Sequence, residues 1–303
     1  MSAATVPVPV ADEVVRWFEA GDETILSVVT RPTVAPRGVG VIFLNGGHGG
    51  SSSGKNRIYT RMAADLADRG FHSVRLEWRG IGDSTGAVDE YIMDEPFLDE
   101  ALGAAQLLRD EGCDRIAIYG ECFGARTSIV AAEQMPDLVG LYLVTLVLRD
   151  GAVSEQNPQR LVDDMPASEF VKRLGKLRHI GDPKRRRLYV DAVKNKARQL
   201  TQKARYRREG NTNLAPWVGR QVVAGLEGLG ARGIPVHLVY GDSYWDPHRF
   251  DFEAVADDLT PLRYDTTTWE VLPEMIAGYR TLPVQDHLVP LVGEWFDRTL
   301  PAG

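Results

Sequence analysis

The fold is decided by one stretch of sequence, Arg115-Ile116-Ala117-Ile118-Tyr119-Gly120-Glu121-Cys122-Phe123-Gly124. Its first half is short, apolar and β-branched, which is typical of a buried strand. Its second half has the spacing G-x-S-x-G, with Cys122 where serine usually stands. Residues 125–133 have a helical pattern, so the sequence predicts a strand, a tight turn and a helix in succession. Glycines flank Cys122 because such a turn strains its central residue and leaves no room for neighbouring side chains.

Cys122 is the candidate nucleophile. It would lie at a helix N-terminus, where the helix dipole favours a thiolate. The alternative is a buried structural cysteine beside two turn glycines, but the predicted strand and helix on either side favour catalysis. The other cysteine, Cys113, lies at the opposite end of the same predicted strand, so no disulfide between the two is expected.

Strands alternate with helices on both sides of this stretch. Upstream, strands are predicted at residues 13–18, 24–30, 38–44 and 71–78, with helices at 57–69 and 97–110. Downstream, strands are predicted at 138–148, 235–241 and 269–272, with helices at 251–258 and 289–300. The alternation predicts an α/β fold with a mostly parallel sheet, covered by helices on both faces.

Residues 151–220 interrupt this alternation, because they are polar and basic and have a helical pattern with few strand signals. We therefore expect a core domain formed by residues 1–150 and 221–303, with a helical lid inserted between its two parts. Ligands of such sheets bind at the carboxyl ends of the strands, so the lid is expected over that edge.

The bulk composition is that of a soluble globular protein, with 44% hydrophobic and 25% charged residues in a chain of 303. No apolar run is long enough to span a membrane, and the first ten residues do not have the pattern of a signal peptide. Two cysteines and no His/Cys cluster predict neither a metal site nor a cofactor. These features predict a cytoplasmic protein.

The charge of the chain is unevenly distributed. A net charge of −7 argues against nucleic-acid binding. Between residues 172 and 208, however, fifteen Lys and Arg residues are opposed only by Asp182 and Asp191. A positive patch of this kind could steer an acidic partner protein to the site. The alternative is a solvated helical face whose charges keep the segment soluble.

Outside the lid, the chain resembles the α/β-hydrolase superfamily. The resemblance depends on residues 43–47, residues 79–84, the turn around Cys122, and Asp286-His287 just before the last predicted helix. It implies an α/β-hydrolase fold and a triad in the order nucleophile, acid, histidine. His287 stands where the histidine of the superfamily belongs.

The resemblance leaves the acid of the triad open among three aspartates. Asp150 ends the predicted strand that follows the turn, and Asp242 and Asp246 follow the next strand. The later position is the commoner one in the superfamily, but its usual spacing is disrupted here, so Asp150 is slightly favoured. The resemblance also implies an oxyanion hole formed by the backbone N–H groups of Gly47 and Phe123.

A cysteine in place of serine changes the expected chemistry. The acyl-enzyme becomes a thioester, which hydrolyses slowly but reacts well with thiols, amines and carbanions. A Cys-His-Asp enzyme of this length with a large lid resembles the Dieckmann cyclases of tetramate and pyridone antibiotic biosynthesis. That resemblance implies a β-ketoacyl-aminoacyl thioester delivered by an acyl or peptidyl carrier protein. A thioesterase or esterase of a small acyl substrate, and a non-catalytic binding module, stay open as alternatives.

Overall fold

The computed structural model describes residues 12–47, 50–88, 90–151, 218–241, 247–259, 262, 264–272 and 282–300. These residues form one eight-stranded sheet. Its strands are β1 (Asp12–Ala20), β2 (Glu23–Arg31), β3 (Val39–Leu44), β4 (His72–Leu76), β5 (Arg115–Glu121), β6 (Leu138–Val144), β7 (Val236–Gly241) and β8 (Thr267–Leu272). Their order is β1-β2-β4-β3-β5-β6-β7-β8. The β1–β2 and β2–β4 pairs are antiparallel, and every pair from β4 to β8 is parallel.

Helices cover both faces of the sheet. They are α1 (Ile58–Asp68), α2 (Leu98–Asp110), α3 (Phe123–Ala131), α4 (Arg220–Ala231), α5 (Pro247–Val255) and α6 (Leu282–Thr299). Short 3₁₀ turns occupy Lys55–Arg57, Ala132–Gln134 and Ala256–Asp258. Helices α1 and α6 pack on one face, and α2, α3, α4 and α5 contribute to the apolar layer on the other. The predicted mostly parallel sheet with helices on both faces is confirmed.

The core consists of two apolar layers, one on each face of the sheet. All six residues of β3 are buried, as expected for a central parallel strand. Its side chains alternate between the layers: Val41 and Phe43 join the layer under α1 and α6, and Ile42 and Leu44 join the other. In α1, Ile58, Met62 and Leu66 recur at helical spacing and fall in one layer.

The last helix begins earlier than the sequence predicts. The sequence pattern predicts this helix over residues 289–300. Instead α6 begins at Leu282 and contains Pro290, which places His287 inside the helix and not before it. Side-chain contacts fix the extra turns: the buried Gln285 donates from Nε2 to the carbonyl oxygen of Lys55 at 3.0 Å, and Arg61 donates to Gln285 Oε1 at 3.0 Å.

Two other boundaries differ from the prediction by four residues. The strand predicted over 138–148 ends at Val144, because Thr145 adopts a positive φ of 52°. The Thr145 N–H then donates to the carbonyl oxygen of Val239 at 2.8 Å. The helix predicted over 251–258 begins at Pro247 and ends in a 3₁₀ turn.

The two described ends of the predicted lid lie side by side. Residues 152–217, which include the basic segment, lie outside the described residues. Arg149 pairs with Val218 in an isolated antiparallel bridge, and the Gly219 N–H donates to the carbonyl oxygen of Leu148 at 2.7 Å. The two described ends of this segment therefore lie close together, beyond the carboxyl end of β6. None of the helices that the structure describes is long and apolar enough to span a membrane.

Candidate active site

Cys122 lies in a sharp turn between β5 and α3. Its backbone has φ 50° and ψ −109°, a conformation that residues other than glycine rarely adopt. The turn is held on both sides, because the Cys122 N–H donates to the carbonyl oxygen of Val144 at 3.0 Å and the Arg126 N–H donates to that of Cys122 at 3.1 Å. The strand, tight turn and helix predicted from the sequence are confirmed.

Both flanking glycines are required by close contacts. A Cβ on Gly124 would lie 2.0 Å from the carbonyl oxygen of Leu44, and one on Gly120 would lie 2.5 Å from Ser128 Oγ. The first contact is with backbone at the end of β3, so a side chain at position 124 would push α3 away from the sheet. The glycines thus set how closely the turn and β3 approach each other.

The two cysteine thiols have different environments. Cys113 is buried, and burial, together with the charges of Asp114 and Glu111, raises its pKa to about 12. Cys122 is partly exposed and precedes the first turn of α3. The backbone N–H groups of that turn, including the one of Phe123, have no acceptor within the helix and favour an anion. Cys122 is therefore the more accessible of the two thiols, and the oxyanion role of Phe123 stays a prediction.

The loop after β3 lies against the turn. A Cβ on Gly46 would stand 3.4 Å from the Cβ of Cys122. The next residue, Gly47, has φ 93°, and its N–H donates to Oδ1 of the buried Asn45 at 3.1 Å. The predicted oxyanion donor Gly47 thus has an acceptor within the protein, and a substrate oxygen would have to replace Asn45. The role of Gly47 in an oxyanion hole stays a prediction.

Glu121, which the sequence analysis did not single out, is a second ionisable group beside Cys122. It accepts a hydrogen bond from the phenol of the buried Tyr59 on α1. Burial raises the pKa of Glu121, whereas the Tyr59 hydrogen bond and the charge of Lys55 act in the opposite direction. Burial, and then the charge of Glu121, raise the pKa of Tyr59 well above its usual value. The sequence feature that could have identified Glu121 was a carboxylate at the end of a strand that has no other charged residue after Arg115.

His287 lies on α6 with an exposed side chain. Its neighbour Asp286 forms an ion pair with Arg61 of α1. The start of α6 therefore packs against α1 and the 3₁₀ turn before it. Tyr59 of α1, which donates a hydrogen bond to Glu121, lies on the same face of the sheet. The triad role of His287 stays a prediction.

Asp150 is bound to a buried arginine. Its Oδ1 accepts a hydrogen bond from Nη2 of Arg126 at 2.5 Å, and Arg126 is fully buried in α3. Arg126 also donates to the carbonyl oxygens of Met93 at 3.2 Å, Val147 at 3.2 Å and Leu148 at 3.3 Å. Asp150 thus neutralises a buried charge at the base of the insertion, a contact the sequence analysis did not predict.

The other two candidate acids, Asp242 and Asp246, lie outside the described residues. The identity of the triad acid stays a prediction. Within the part of the chain that the structure describes, no group of three or more His, Cys, Asp or Glu side chains could hold a metal ion.

Comparisons with known proteins agree with this architecture. No protein-family model and no curated protein sequence matches the chain. XC6422 from Xanthomonas campestris, an a/b serine hydrolase without lid, has a TM-score of 0.56 at 17% identity, over 96% of each chain. A dienelactone hydrolase from Anabaena variabilis has 0.54 at 15% identity, over 96% of this chain and 99% of its own. VinJ has 0.53 at 16% identity, over 95% and 99% respectively. The chain therefore has the α/β-hydrolase fold.

Proposed function

We propose that the chain is an acyl-transfer enzyme with Cys122 as its nucleophile, and that it closes a ring from a carrier-bound β-ketoacyl-aminoacyl thioester, as Dieckmann cyclases do. One observation carries the proposal: a partly exposed thiol occupies the strained turn between β5 and α3. Strained residues of this kind cluster at active sites, because the surrounding structure must hold them in place.

The proposed reaction begins with transfer of the acyl group to the thiol. The thiolate of Cys122 attacks the carbonyl carbon of the substrate thioester, and the Phe123 N–H stabilises the oxyanion that forms. His287 takes the thiol proton and returns it to the departing carrier thiol. Exchange of one thioester for another changes the free energy little, so the acyl group remains activated for the next step.

Ring closure is the second step. A carbanion between the two carbonyl groups of the acyl chain attacks the Cys122 thioester, a carbon–carbon bond forms and the thiolate leaves. Hydrolysis is the competing outcome, in which water attacks the same acyl-enzyme. The names of structural neighbours, which include a serine hydrolase and a dienelactone hydrolase, support an enzyme that works on acyl groups.

The product distinguishes the two outcomes. We expect the purified protein, given a carrier-bound β-ketoacyl-aminoacyl thioester, to release a cyclic product that has lost the carrier thiol and gained no water. Mass spectrometry of the small-molecule fraction measures this directly. Exclusive release of the free acid would instead assign the protein as a thioesterase. The matched control is heat-denatured protein, which corrects for spontaneous cyclisation.

We also propose that the basic segment, residues 172–208, recognises the acidic carrier. Reversing Arg185, Arg186 and Arg187 to glutamate should then raise KM for carrier-bound substrate several-fold. Added salt should mimic the change, because the attraction acts over a Debye length of about 8 Å at physiological ionic strength.

A small thioester analogue without a carrier is the control for carrier recognition. Its KM should change little in the same variant, and Arg298→Glu, at an exposed position on α6, should leave both substrates unaffected. Equal losses with both substrates would mean that the segment shapes the acyl pocket instead.

A further inference from the structure

The side chains of Glu121 and Cys122 both approach Gly46. The carboxyl carbon of Glu121 lies 3.6 Å from the point where a Cβ on Gly46 would stand, and the Cβ of Cys122 lies 3.4 Å from that point. Because residue 46 is glycine, it places no side chain of its own between these two groups. Both Glu121 and Cys122 keep part of their surface accessible, whereas Tyr59 behind them is buried. The carboxyl group of Glu121 and the Cβ of Cys122 therefore both lie close to Gly46, at the carboxyl edge of the sheet.

We propose that Glu121 is the base that removes the proton from the carbon nucleophile during ring closure. The proposal rests on the function proposed above, and it assigns the second step to a group that the first step does not use. His287 serves acyl transfer, and Glu121 serves carbon–carbon bond formation. The two steps should then be separable by mutation.

Every proton and electron pair in the ring-closure step is accounted for. The Glu121 carboxylate takes a proton from the carbon between the two carbonyl groups of the Cys122-bound acyl chain, and the electron pair of that C–H bond forms the enolate. The enolate carbon attacks the thioester carbonyl carbon, the new carbon–carbon bond forms and the carbon–sulfur bond breaks. Protonated Glu121 then gives its proton to the expelled thiolate. Thiol and carboxylate are restored without any further reactant.

The surroundings of Glu121 suit a base. A carboxylate that is shielded from water is a stronger base than one in water, and burial raises the pKa of Glu121. The Tyr59 hydrogen bond and the positive charge of Lys55 act in the opposite direction and favour the ionised form. Two other titratable groups lie close to Tyr59: the Cys122 thiol and the Tyr119 phenol. The charge of each raises the pKa of Tyr59.

The first test follows the two steps separately in Glu121→Gln. Glutamine has nearly the same shape and still accepts the Tyr59 hydrogen bond, but it cannot take a proton. Acylation of Cys122 in a single turnover, followed by intact-protein mass, should keep its wild-type rate. Ring closure should slow by about 10²-fold or more, the usual contribution of a general base, so the acyl-enzyme should accumulate. Asp65→Asn is the control, since burial also raises the pKa of this carboxyl on α1.

Each result of this test is decisive. Wild-type ring closure in Glu121→Gln would overturn the proposal, and so would an equal loss of acylation and ring closure, which would make Glu121 a support for Cys122. The wild-type protein tests the proposed function separately. If its acyl-enzyme yields only free acid, cyclisation is wrong, and the base assignment fails with it.

Tyr59→Phe gives an independent measurement. The Tyr59 hydrogen bond lowers the pKa of Glu121, so its loss should raise that pKa. Ring closure needs the carboxylate and fails as pH falls through this pKa. The acidic limb of its pH profile should therefore move to higher pH, while the profile of acylation stays in place. An unshifted limb in the folded variant would overturn the assignment.

Discussion

Cys122→Ala should abolish turnover, with a loss of at least about 10³-fold in kcat, because alanine has no thiol with which to form the covalent acyl intermediate. The variant should also lose the acyl adduct that intact-protein mass detects in the wild type. Alanine fits the turn as well as cysteine does, since the strain lies in the backbone at φ 50°. The thermal midpoint should therefore change little. An acyl adduct on the alanine variant would contradict the assignment of the nucleophile.

Cys113→Ala is the matched control for this result. The Cys113 thiol is buried, and its raised pKa keeps it protonated at neutral pH, so it should neither accept acyl groups nor react with alkylating reagents. Its removal should leave kcat unchanged. Cys122→Ser should fold and turn over poorly, because an alcohol is a weaker nucleophile than a thiolate.

Arg126→Met should destabilise the fold by about 3–5 kcal/mol, a large part of the stability of a typical domain. The guanidinium is fully buried and donates to Asp150 and to three carbonyl oxygens. Methionine fills much of the space but leaves these acceptors without their donor. Chemical denaturation followed by circular dichroism measures the loss. A free energy of unfolding within about 1 kcal/mol of the wild type would show that the arginine contacts matter little.

Asp150→Asn separates the two roles of this aspartate. If Asp150 mainly neutralises Arg126, the variant should lose about 1.5–3 kcal/mol of stability while kcat stays within about tenfold. If it also orients His287, kcat should fall by about 10⁴-fold at temperatures where the variant is folded. Comparing the two measurements in one variant therefore decides whether the slightly favoured aspartate is the acid of the triad.

The turn around Cys122 was predictable because its causes are local. Glycines at positions 120 and 124, an apolar strand before them and a helix after them are visible in the sequence, and the close contacts at both glycines explain them. The sheet was predictable for a similar reason, since buried parallel strands are nearly continuous apolar runs.

The rest depends on tertiary contacts that no local pattern reports. Arginine is a residue type that usually lies on the surface, but Arg126 in α3 is fully buried. Pro290 resembles a helix start, but contacts with α1 and Lys55 extend α6 upstream of it. Likewise, the Tyr59–Glu121 hydrogen bond joins residues 62 positions apart. Each of these features depends on a distant partner, so the sequence predicted the position of Cys122 better than its surroundings.

Because the two ends of the insertion lie next to each other, the structure of the sheet does not depend on the number of residues between them. Arg149 and Val218 meet in a bridge, so the core requires only that residues 151 and 218 emerge together. Closing a longer or shorter excursion at such a point costs little, because loop entropy grows only with the logarithm of length. A change in the length of this segment should therefore leave the turn that holds Cys122 in place.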